Sequence, residues 1–298
     1  MTARIVVVGS ANMDLVATTP ALPAPGQTVL GHGFTTVPGG KGANQALAAA
    51  RAGGDCTLIG AVGDDAFGTD LLTGLRAGGV RTALVRTVAE PSGVALIAVD
   101  DAGENQIVVA PGANARLTDL RAEELAAIGA ADVLVAQLEV PVETVAAAAR
   151  AAREAGVTVM LNAAPARPLP ADLLSTVDLL LVNEGEARAL AQRRGDRIDA
   201  LLDLVPRVVL TLGAKGASYG DRDGLRLDVP APVVSAVDTT AAGDAFAGAF
   251  AVAWAESRPV ADALRWACAA GAVCAGTLGA ASALPTFTQI DELYGASA

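Results

Sequence analysis

The sequence is poor in the residues that most metal and disulfide sites require. It contains one histidine, His32, and three cysteines, Cys56, Cys268 and Cys274, with no Cys-x-x-Cys pair. This spacing argues against a structural zinc site or a disulfide framework, and a single histidine excludes a histidine-rich metal site. Because His32 stands in a polar, glycine-rich stretch, we expect it to be exposed.

Basic residues and long apolar runs are also scarce. The chain has 21 Lys and Arg residues against 32 Asp and Glu, a formal net charge of −11. That field repels phosphate-coated partners, and no basic cluster offsets it, so we expect no nucleic-acid partner. No stretch of about 18 residues is apolar without interruption, and the N-terminus lacks a signal peptide's long apolar segment. We therefore expect a cytoplasmic protein that does not bind membranes.

What the chain does contain is an alternation of short β-branched runs and alanine-rich helical stretches. This alternation predicts an α/β fold with a mostly parallel central sheet and helices on both faces. Strands are predicted at 4–10, 56–63, 132–139, 157–166, 177–187 and 207–216, and helices at 42–54 and 141–156. In such sheets, ligands bind beyond the carboxyl ends of the strands, where most of the polar motifs fall.

Two stretches, 15–40 and 92–114, interrupt this rhythm with strand-like pieces split by Pro, Gly and a polar turn. We interpret them as a small β layer that projects from the main sheet and could cover a site or pair with another copy. An ordinary surface hairpin is the alternative. The predicted division assigns 15–38 and 92–111 to this layer, and 1–14, 39–91 and 112–298 to the α/β domain.

The stretch DTTAAGDAF places Asp244 in the first turn of a predicted helix, behind Ala241, Ala242 and Gly243. Amides at a helix start are unpaired within the helix and can point at an anion, which small side chains allow to come close. One interpretation is a plain N-terminal cap. The other is a reaction in which Asp244 takes a proton while these amides hold developing negative charge.

A second glycine-rich motif, PGGKGANQA (38–46), precedes a predicted helix and adds Lys41 and Asn44. It is either a ligand-binding loop or a plain turn before a helix. It is not a P-loop, because Thr35 stands where the first glycine of that motif belongs. Nor does GSANMD (9–14) supply the glycine fingerprint of a dinucleotide-binding dehydrogenase.

Other polar residues follow predicted strands. Asn12, Asp14 and Glu139 provide the donor and acceptors that neighbouring sugar hydroxyls require, although each alone is typical of a turn or cap. Asn183 and Glu186 are one helical turn apart and suit either a hydrated Mg²⁺ or an N-terminal cap. The turn TLGAKG (211–216) could lie along a nucleotide's phosphates or be an ordinary turn.

Together these motifs resemble the ribokinase-like family of carbohydrate kinases over nearly the whole chain. GGKGANQA is similar to the family's N-terminal signature, and DTTAAGDAF to its C-terminal DTxGAGD, with Ala241 in place of the usual glycine. SGVALI, QLE, NAAPA, NEGEA and TLGAKG also stand in the family's order. The resemblance implies ATP-dependent phosphorylation of the 5-hydroxyl of D-ribose, with Mg²⁺ and a monovalent cation, K⁺, as cofactors.

The resemblance also implies a role for each matched residue. Asp244 would be the general base, with the anion hole at 241–244. The sugar would be held by Asn12, Asp14, Gly40, Lys41, Asn44, Glu139 and Asp244. The nucleotide would contact Asn183, Thr211, Gly213, Lys215, Gly216, Gly243 and Cys268, and Asn183 with Glu186 would serve Mg²⁺ and phosphate. Cys268 stands where many relatives have a histidine near the adenine.

A monovalent-cation loop is implied at Asp238, Thr240, Cys274, Thr277, Gly279 and Ala283. Several of these would bind through backbone carbonyls, but Ala283 replaces a usual serine, so one ligand is lost and potassium activation would weaken. The β layer would be the sugar-covering lid and the contact of a homodimer.

Other functions remain open at this point. A kinase of the same family could act on deoxyribose, a nucleoside or a ketohexose, although 3% aromatic content leaves little to stack a nucleobase. A non-catalytic sugar sensor on the same fold would not need Asp244.

Overall fold

Residues 2–191 and 197–296 are described by a computed structural model, and in them the strands form two sheets. The strands are β1 (Arg4–Val8), β2 (Asn12–Thr19), β3 (Gly33–Gly39), β4 (Asp55–Gly63), β5 (Val85–Val88), β6 (Gly93–Asp100), β7 (Asn105–Ala110), β8 (Val133–Ala136), β9 (Thr158–Asn162), β10 (Leu179–Asn183), β11 (Arg207–Thr211), β12 (Ala217–Asp221) and β13 (Arg226–Val229). The α-helices are α1 (Lys41–Arg51), α2 (Ala66–Ala77), α3 (Ala122–Gly129), α4 (Val142–Glu154), α5 (Ala171–Leu174), α6 (Glu184–Ala191), α7 (Arg197–Leu202), α8 (Ala242–Ala255), α9 (Val260–Ala275) and α10 (Phe287–Ala296).

The large sheet has nine strands in the order β13-β12-β11-β10-β9-β8-β1-β4-β5. The strands from β11 to β5 are parallel, whereas β12 and β13 form an antiparallel edge. The predicted mostly parallel central sheet is therefore confirmed. The antiparallel edge was not predicted, although the turn DRDG between two short runs is a hairpin signal.

Helices cover both faces of this sheet because its central strands are apolar throughout. In β1, Ile5 and Val7 belong to a core shared with α1, α8 and α9, whereas Val6 and Val8 belong to a core shared with α4 and α7. Successive side chains of a strand point to opposite faces, so one apolar run serves both cores.

The small sheet has the order β3-β2-β6-β7, with β2 and β6 parallel and the outer pairs antiparallel. It begins at Asn12 and its second strand ends at Gly39, so Asn12 and Asp14 lie inside β2 rather than in a turn after β1. Large apolar side chains of this sheet remain exposed, among them Phe34 (68%), Ile107 (53%) and Val108 (63%).

The parallel strands bring the polar motifs to one edge. β1, β8, β9, β10 and β11 all end there, and helices α1 and α8 begin there, so residues distant in sequence meet. Among the described residues, no helix has the length and apolar character needed to cross a bilayer. Within the same ranges, no three His, Cys, Asp or Glu side chains cluster as metal ligands.

Candidate active site

Asp244 lies at the centre of this edge, in the first turn of α8, and is only 8% exposed. Ala241 precedes the helix with a left-handed φ of 60°, which turns the chain sharply into α8. The helix geometry leaves the amides of Gly243 and Asp244 without an intrahelical acceptor. The amide of Ala242 instead donates to Thr239 O at 3.2 Å, so the predicted anion hole at 241–244 has fewer free donors than the sequence suggested.

Two amide side chains from α1 hold the Asp244 carboxylate. Asn44 Nδ2 donates to Oδ2 at 3.1 Å, and Gln45 Nε2 donates to Oδ1 at 2.9 Å. Neither oxygen is saturated by one donor, because a carboxylate oxygen has two lone pairs. The carboxylate is thus oriented and can still accept a proton from a ligand.

The start of α1 packs closely against the loop after β1 because glycines at this contact have no side chains. A Cβ on Gly42 would come within 2.5 Å of the Ser10 nitrogen, and Gly40 has a φ of +88°. Ala43 N donates to Ser10 O at 2.7 Å. The glycines of PGGKGANQA therefore serve close backbone approach, which puts Lys41 and Asn44 into the site.

Glu139 follows β8 and ties this loop to α1. Its Oε2 accepts hydrogen bonds from Ser10 Oγ at 2.5 Å and from the Lys41 amide at 3.0 Å. One carboxylate oxygen of Glu139 is thereby used to hold the site together, and the other is available to a hydroxyl.

Asp14 and Asn12 face the same region from β2. Burial, together with the charges of Glu139 and Asp244, raises the pKa of Asp14 to about 7. Asn12 Oδ1 accepts a hydrogen bond from Asn114 Nδ2 at 2.7 Å. This hydrogen bond fixes the orientation of the Asn12 side chain and leaves its two amide hydrogens available to a ligand.

Lys41 supplies the positive charge. Asp244, and more weakly Glu139 and Glu186, raise its pKa against the effect of burial, so the ammonium stays protonated. Lys41, Asp244, Gly243, Asn183 and Thr211 all line one cavity of about 230 Å³. A cation, a carboxylate and a helix N-terminus facing one cavity suit an anionic group that approaches the base.

Asn183 and Glu186 form a reciprocal cap at the start of α6. Glu186 N donates to Asn183 Oδ1 at 2.9 Å, and Asn183 N donates to Glu186 Oε2 at 2.8 Å. The capping interpretation is therefore realised. Both residues still line the cavity, and burial raises the pKa of Glu186, aided by the charge of Asp244 and opposed by the Asn183 hydrogen bond and Lys41.

The turn after β11 depends on backbone shape. Gly213 and Gly216 have φ values of +58° and +103°, and a Cβ on Gly216 would lie 1.9 Å from Val229 O. Gly213 and Lys215 are exposed. Cys268 lies apart from this turn in α9, where it is 5% exposed and burial raises its pKa to about 12.

The predicted cation loop comes together from two segments. The Asp238 carboxylate accepts from Thr240 N at 2.9 Å and from Gly279 N at 3.0 Å. Burial opposes ionisation of Asp238, but these hydrogen bonds outweigh it and lower its pKa. Cys274 Sγ lies 3.6 Å from Thr240 O. Thr277 N donates to Cys274 O at 3.0 Å, and Ala283 is buried in the turn that follows Gly279.

Five residues of this edge were not singled out from the sequence: Ser10, Gln45, Asn114, Gln137 and Asn162. Gln45, Gln137 and Asn162 stand inside the motifs GGKGANQA, QLE and NAAPA, at the start of a helix or the end of a strand. Their position at these element ends, where ligands bind in a parallel sheet, was the signal that could have identified them. Asn114 belongs to the turn that leaves the small sheet and carried none.

The chain is similar to known proteins over nearly its whole length. The profile of the pfkB family carbohydrate kinases matches residues 2–287. The chain is 42% identical to a ribokinase of Bacillus subtilis, with 97% of this chain and 99% of the relative covered. It is 40% identical to a ribokinase of Schizosaccharomyces pombe, with 98% of each covered.

A solved ribokinase of Arabidopsis thaliana, in complex with ribose and ATP, superposes with a TM-score of 0.92 at 32% identity. The alignment covers 99% of each chain. A family match of this extent, on a chain whose site has the geometry described above, identifies it: the chain belongs to the pfkB family of carbohydrate kinases.

Proposed function

We propose that the protein transfers the γ-phosphoryl group of ATP to O5 of D-ribose, giving D-ribose 5-phosphate and ADP. The observation that carries this proposal is the buried Asp244 carboxylate at the start of α8, which is oriented by two side-chain amides from α1 and lines one cavity with Lys41. The ribokinase relatives and the ribose- and ATP-bound structure support the choice of substrates.

Asp244 acts as the general base. It accepts the proton of the 5-hydroxyl as O5 attacks the γ-phosphorus, the O5–P bond forms, and the bond to the ADP oxygen breaks. Lys41 and the amides of Gly243 and Asp244 stabilise the negative charge on the transferred group. Phosphoryl transfer depends mostly on positioning and electrostatics, which is what this arrangement supplies.

The sugar is oriented by groups with fixed hydrogen-bonding directions. Asn12 donates through its amide hydrogens, which its contact with Asn114 orients, and Glu139 accepts through its oxygen not used by Ser10 and Lys41. Asp14, buried beside two other carboxylates, accepts or donates according to its protonation. Gly40 lets the backbone approach the sugar closely.

The nucleotide lies over the turn Thr211–Gly216, with its phosphates toward Asn183, Gly243 and Lys41. Lys215 is exposed and adds charge at the rim. Cys268 is buried in α9, so it forms part of the wall behind the adenine and makes no polar contact with it.

Mg²⁺ fits the cavity as a mostly hydrated ion. Glu186 is half-buried beside Lys41 and Asp244, and the one oxygen that its cap leaves free can bind a water of the ion. An ion with few protein ligands and many waters is the usual form of Mg²⁺ at phosphates, whose charge it neutralises.

A monovalent cation fits beside the anion hole. The loop that contains Asp238, Thr240, Cys274, Thr277, Gly279 and Ala283 offers backbone carbonyls, which suit K⁺. Ala283 has no side-chain oxygen to offer, so we expect only weak stimulation by potassium.

The small sheet is the lid, as the division into 15–38 and 92–111 against the rest of the chain predicts. Its exposed apolar residues, among them Phe34, Leu96, Ile107 and Val108, contact a second copy of the chain in a homodimer. The substrates are small soluble molecules, which accords with the proposed cytoplasmic location.

The test is ADP release by the purified protein with Mg-ATP, with and without D-ribose, in potassium and in sodium buffer. We expect ribose-dependent turnover that rises modestly with potassium. The same assay with 2-deoxyribose, nucleosides and ketohexoses is the control for specificity. If one of these compounds is phosphorylated and ribose is not, the substrate proposal fails. Binding of ribose without turnover would favour a sugar sensor.

A further inference from the structure

Two fully buried glutamines stand behind the Asp244 carboxylate. Gln45 lies on α1 and Gln137 follows β8, and both side chains are 0% exposed. They belong to different layers of the fold, yet they form one chain of hydrogen bonds that ends at Asp244.

The contacts of Gln45 fix the direction of its amide. Its Nε2 donates to Asp244 Oδ1 and to Asn162 Oδ1, both at 2.9 Å, and its Oε1 accepts from Gln137 Nε2 at 2.6 Å. Asn162 is fixed in turn, because its Nδ2 donates to Leu181 O at 3.1 Å. A Gln45 amide rotated by half a turn would set its oxygen against two oxygens.

Gln137 maintains this arrangement with an unfavourable feature of its own. Its Oε1 is buried and has no hydrogen-bond partner among the described residues. This oxygen lies over Gly9, where a Cβ would come within 2.0 Å of it. An unpaired buried acceptor destabilises a fold. What the amide at position 137 provides in return is the donor to Gln45 Oε1, which would otherwise itself be a buried acceptor without a partner.

We propose that Gln45 and Gln137 are positioning residues for Asp244, an inference that rests on the proposed role of Asp244 as the base. Gln137 sets the direction of the Gln45 amide. Gln45 and Asn44 then hold one oxygen each of the carboxylate, so that a remaining lone pair points at the ribose hydroxyl. Without the Gln45 donor the carboxylate turns out of line, and small misplacements of a reacting group slow a reaction strongly.

The charged and titratable groups that face Asp244 come from several other elements. They are Asp14 on β2, Lys41 on α1, Glu139 after β8, Glu186 on α6 and Cys274 on α9. Substitution of the glutamines leaves all of them in place. A change in kcat therefore reports the placement of the Asp244 carboxylate and not a change in the charges around it.

The experiment compares Gln45→Leu and Gln137→Leu with a control that loses a buried hydrogen bond elsewhere. Thr144 is buried on α4, and its hydroxyl donates to Leu117 O, on the far side of the sheet from Asp244, so Thr144→Val is that control. For each variant, kcat, the KM values of ribose and ATP, and the melting temperature are measured.

We expect Gln45→Leu to lower kcat by about 10²-fold and Gln137→Leu by about tenfold, with KM values nearly unchanged. Gln137→Leu loses a buried hydrogen bond and leaves Gln45 Oε1 without a donor, so it should melt lower, as Thr144→Val should, but only Thr144→Val should keep a normal kcat. In an Asp244→Asn background, Gln45→Leu should cause no further loss.

The outcomes separate the inference from the role on which it rests. If Asp244→Asn loses turnover but both leucine variants keep a normal kcat, the positioning role is overturned while the base role stands. Full additivity of Gln45→Leu and Asp244→Asn overturns it as well. If Asp244→Asn turns over normally, both the base role and the positioning role fail.

Discussion

The two sides of the site, which we propose bind the sugar and the nucleotide, are built in different ways. On the sugar side, polar side chains are buried and paired: Asn12, Asn44 and Asp244 are 2%, 6% and 8% exposed. On the nucleotide side, Gly213, Lys215 and Gly243 are exposed, and the shape is set by backbone conformation. A sugar's hydroxyls need directed donors and acceptors, whereas phosphates need charge and free amides. The difference predicts that substitutions on the sugar side cost far more than those on the nucleotide side.

The largest effect should come from Asp244. Asp244→Asn keeps the shape of the side chain and one of its two acceptor oxygens. It cannot take the proton, so turnover should fall by about 10²–10⁴-fold. Ribose binding, measured by calorimetry, should persist. Asp238→Asn, in the cation loop, is the control and should lose much less. Near-normal turnover of Asp244→Asn would end the role of Asp244 as the base.

The stability of the protein should depend on Asp14, because three carboxylates lie close together on the sugar side. Burial and two like charges raise its pKa to about 7, so its destabilising effect is absent below the unfolded pKa near 3.8 and grows as pH rises to 7. Asp14→Asn should therefore stabilise the protein at about pH 8 by on the order of 4 kcal/mol and hardly at all near pH 4. Denaturant unfolding at both pH values measures this difference.

Asp238 provides the opposite sign for comparison. Its pKa is lowered by hydrogen bonds that outweigh burial, so its stabilisation is present above the unfolded pKa and is lost as pH falls through the lower folded value. Asp238→Asn should thus destabilise at neutral pH and not in strong acid. A stability difference for Asp14→Asn that does not change with pH would contradict the crowding of carboxylates.

The two lysines of the site sharpen the comparison directly. Lys41 is held among Asp244, Glu139 and Glu186, whereas Lys215 is exposed on the turn after β11. Lys41→Met should lower kcat by about 10²-fold, the typical effect of removing a group that stabilises transition-state charge. Lys215→Met should raise only the KM of ATP, by a small factor. Equal effects on kcat would show that the two sides do not differ as described.

The smallest effect on the sugar side should follow from Asn114, which acts on the sugar through Asn12. It donates to Asn12 Oδ1 at 2.7 Å and accepts from the Ala11 amide at 2.9 Å. Asn114→Asp keeps the second contact and loses the first. The KM of ribose should rise by about tenfold with kcat retained, as for one lost buried hydrogen bond. An unchanged KM would mean that Asn12 does not donate to the sugar.

The two sides also differ in how far sequence reasoning reached. The parallel sheet, the helix start at Asp244 and the glycine loop before Lys41 were predicted, because each depends on local pattern. The family resemblance is confirmed by the profile match over residues 2–287. The antiparallel strands β12 and β13 were not predicted, because both are short and only the turn DRDG between them indicates a hairpin.

The amide network was missed for a different reason. Gln45, Gln137 and Asn162 are distant in sequence and meet only because parallel strands end at one edge. A glutamine in a motif looks the same whether it faces solvent or a carboxylate. Likewise, only the structure shows that the Ala242 amide already has an acceptor in Thr239 and that Asn183 and Glu186 cap each other.

Asp244 is proposed to receive the proton of the 5-hydroxyl of ribose as that oxygen takes the γ-phosphoryl group. The most direct measurement is phosphorus NMR, followed over time, of the products formed from Mg-ATP and D-ribose by the unchanged protein and by Asp244→Asn. We expect the unchanged protein to form ADP and ribose 5-phosphate in equal amounts, and Asp244→Asn to form them slower by a factor of about 10² or more. Phosphate on another hydroxyl, or equal rates for the two proteins, would contradict this role of Asp244.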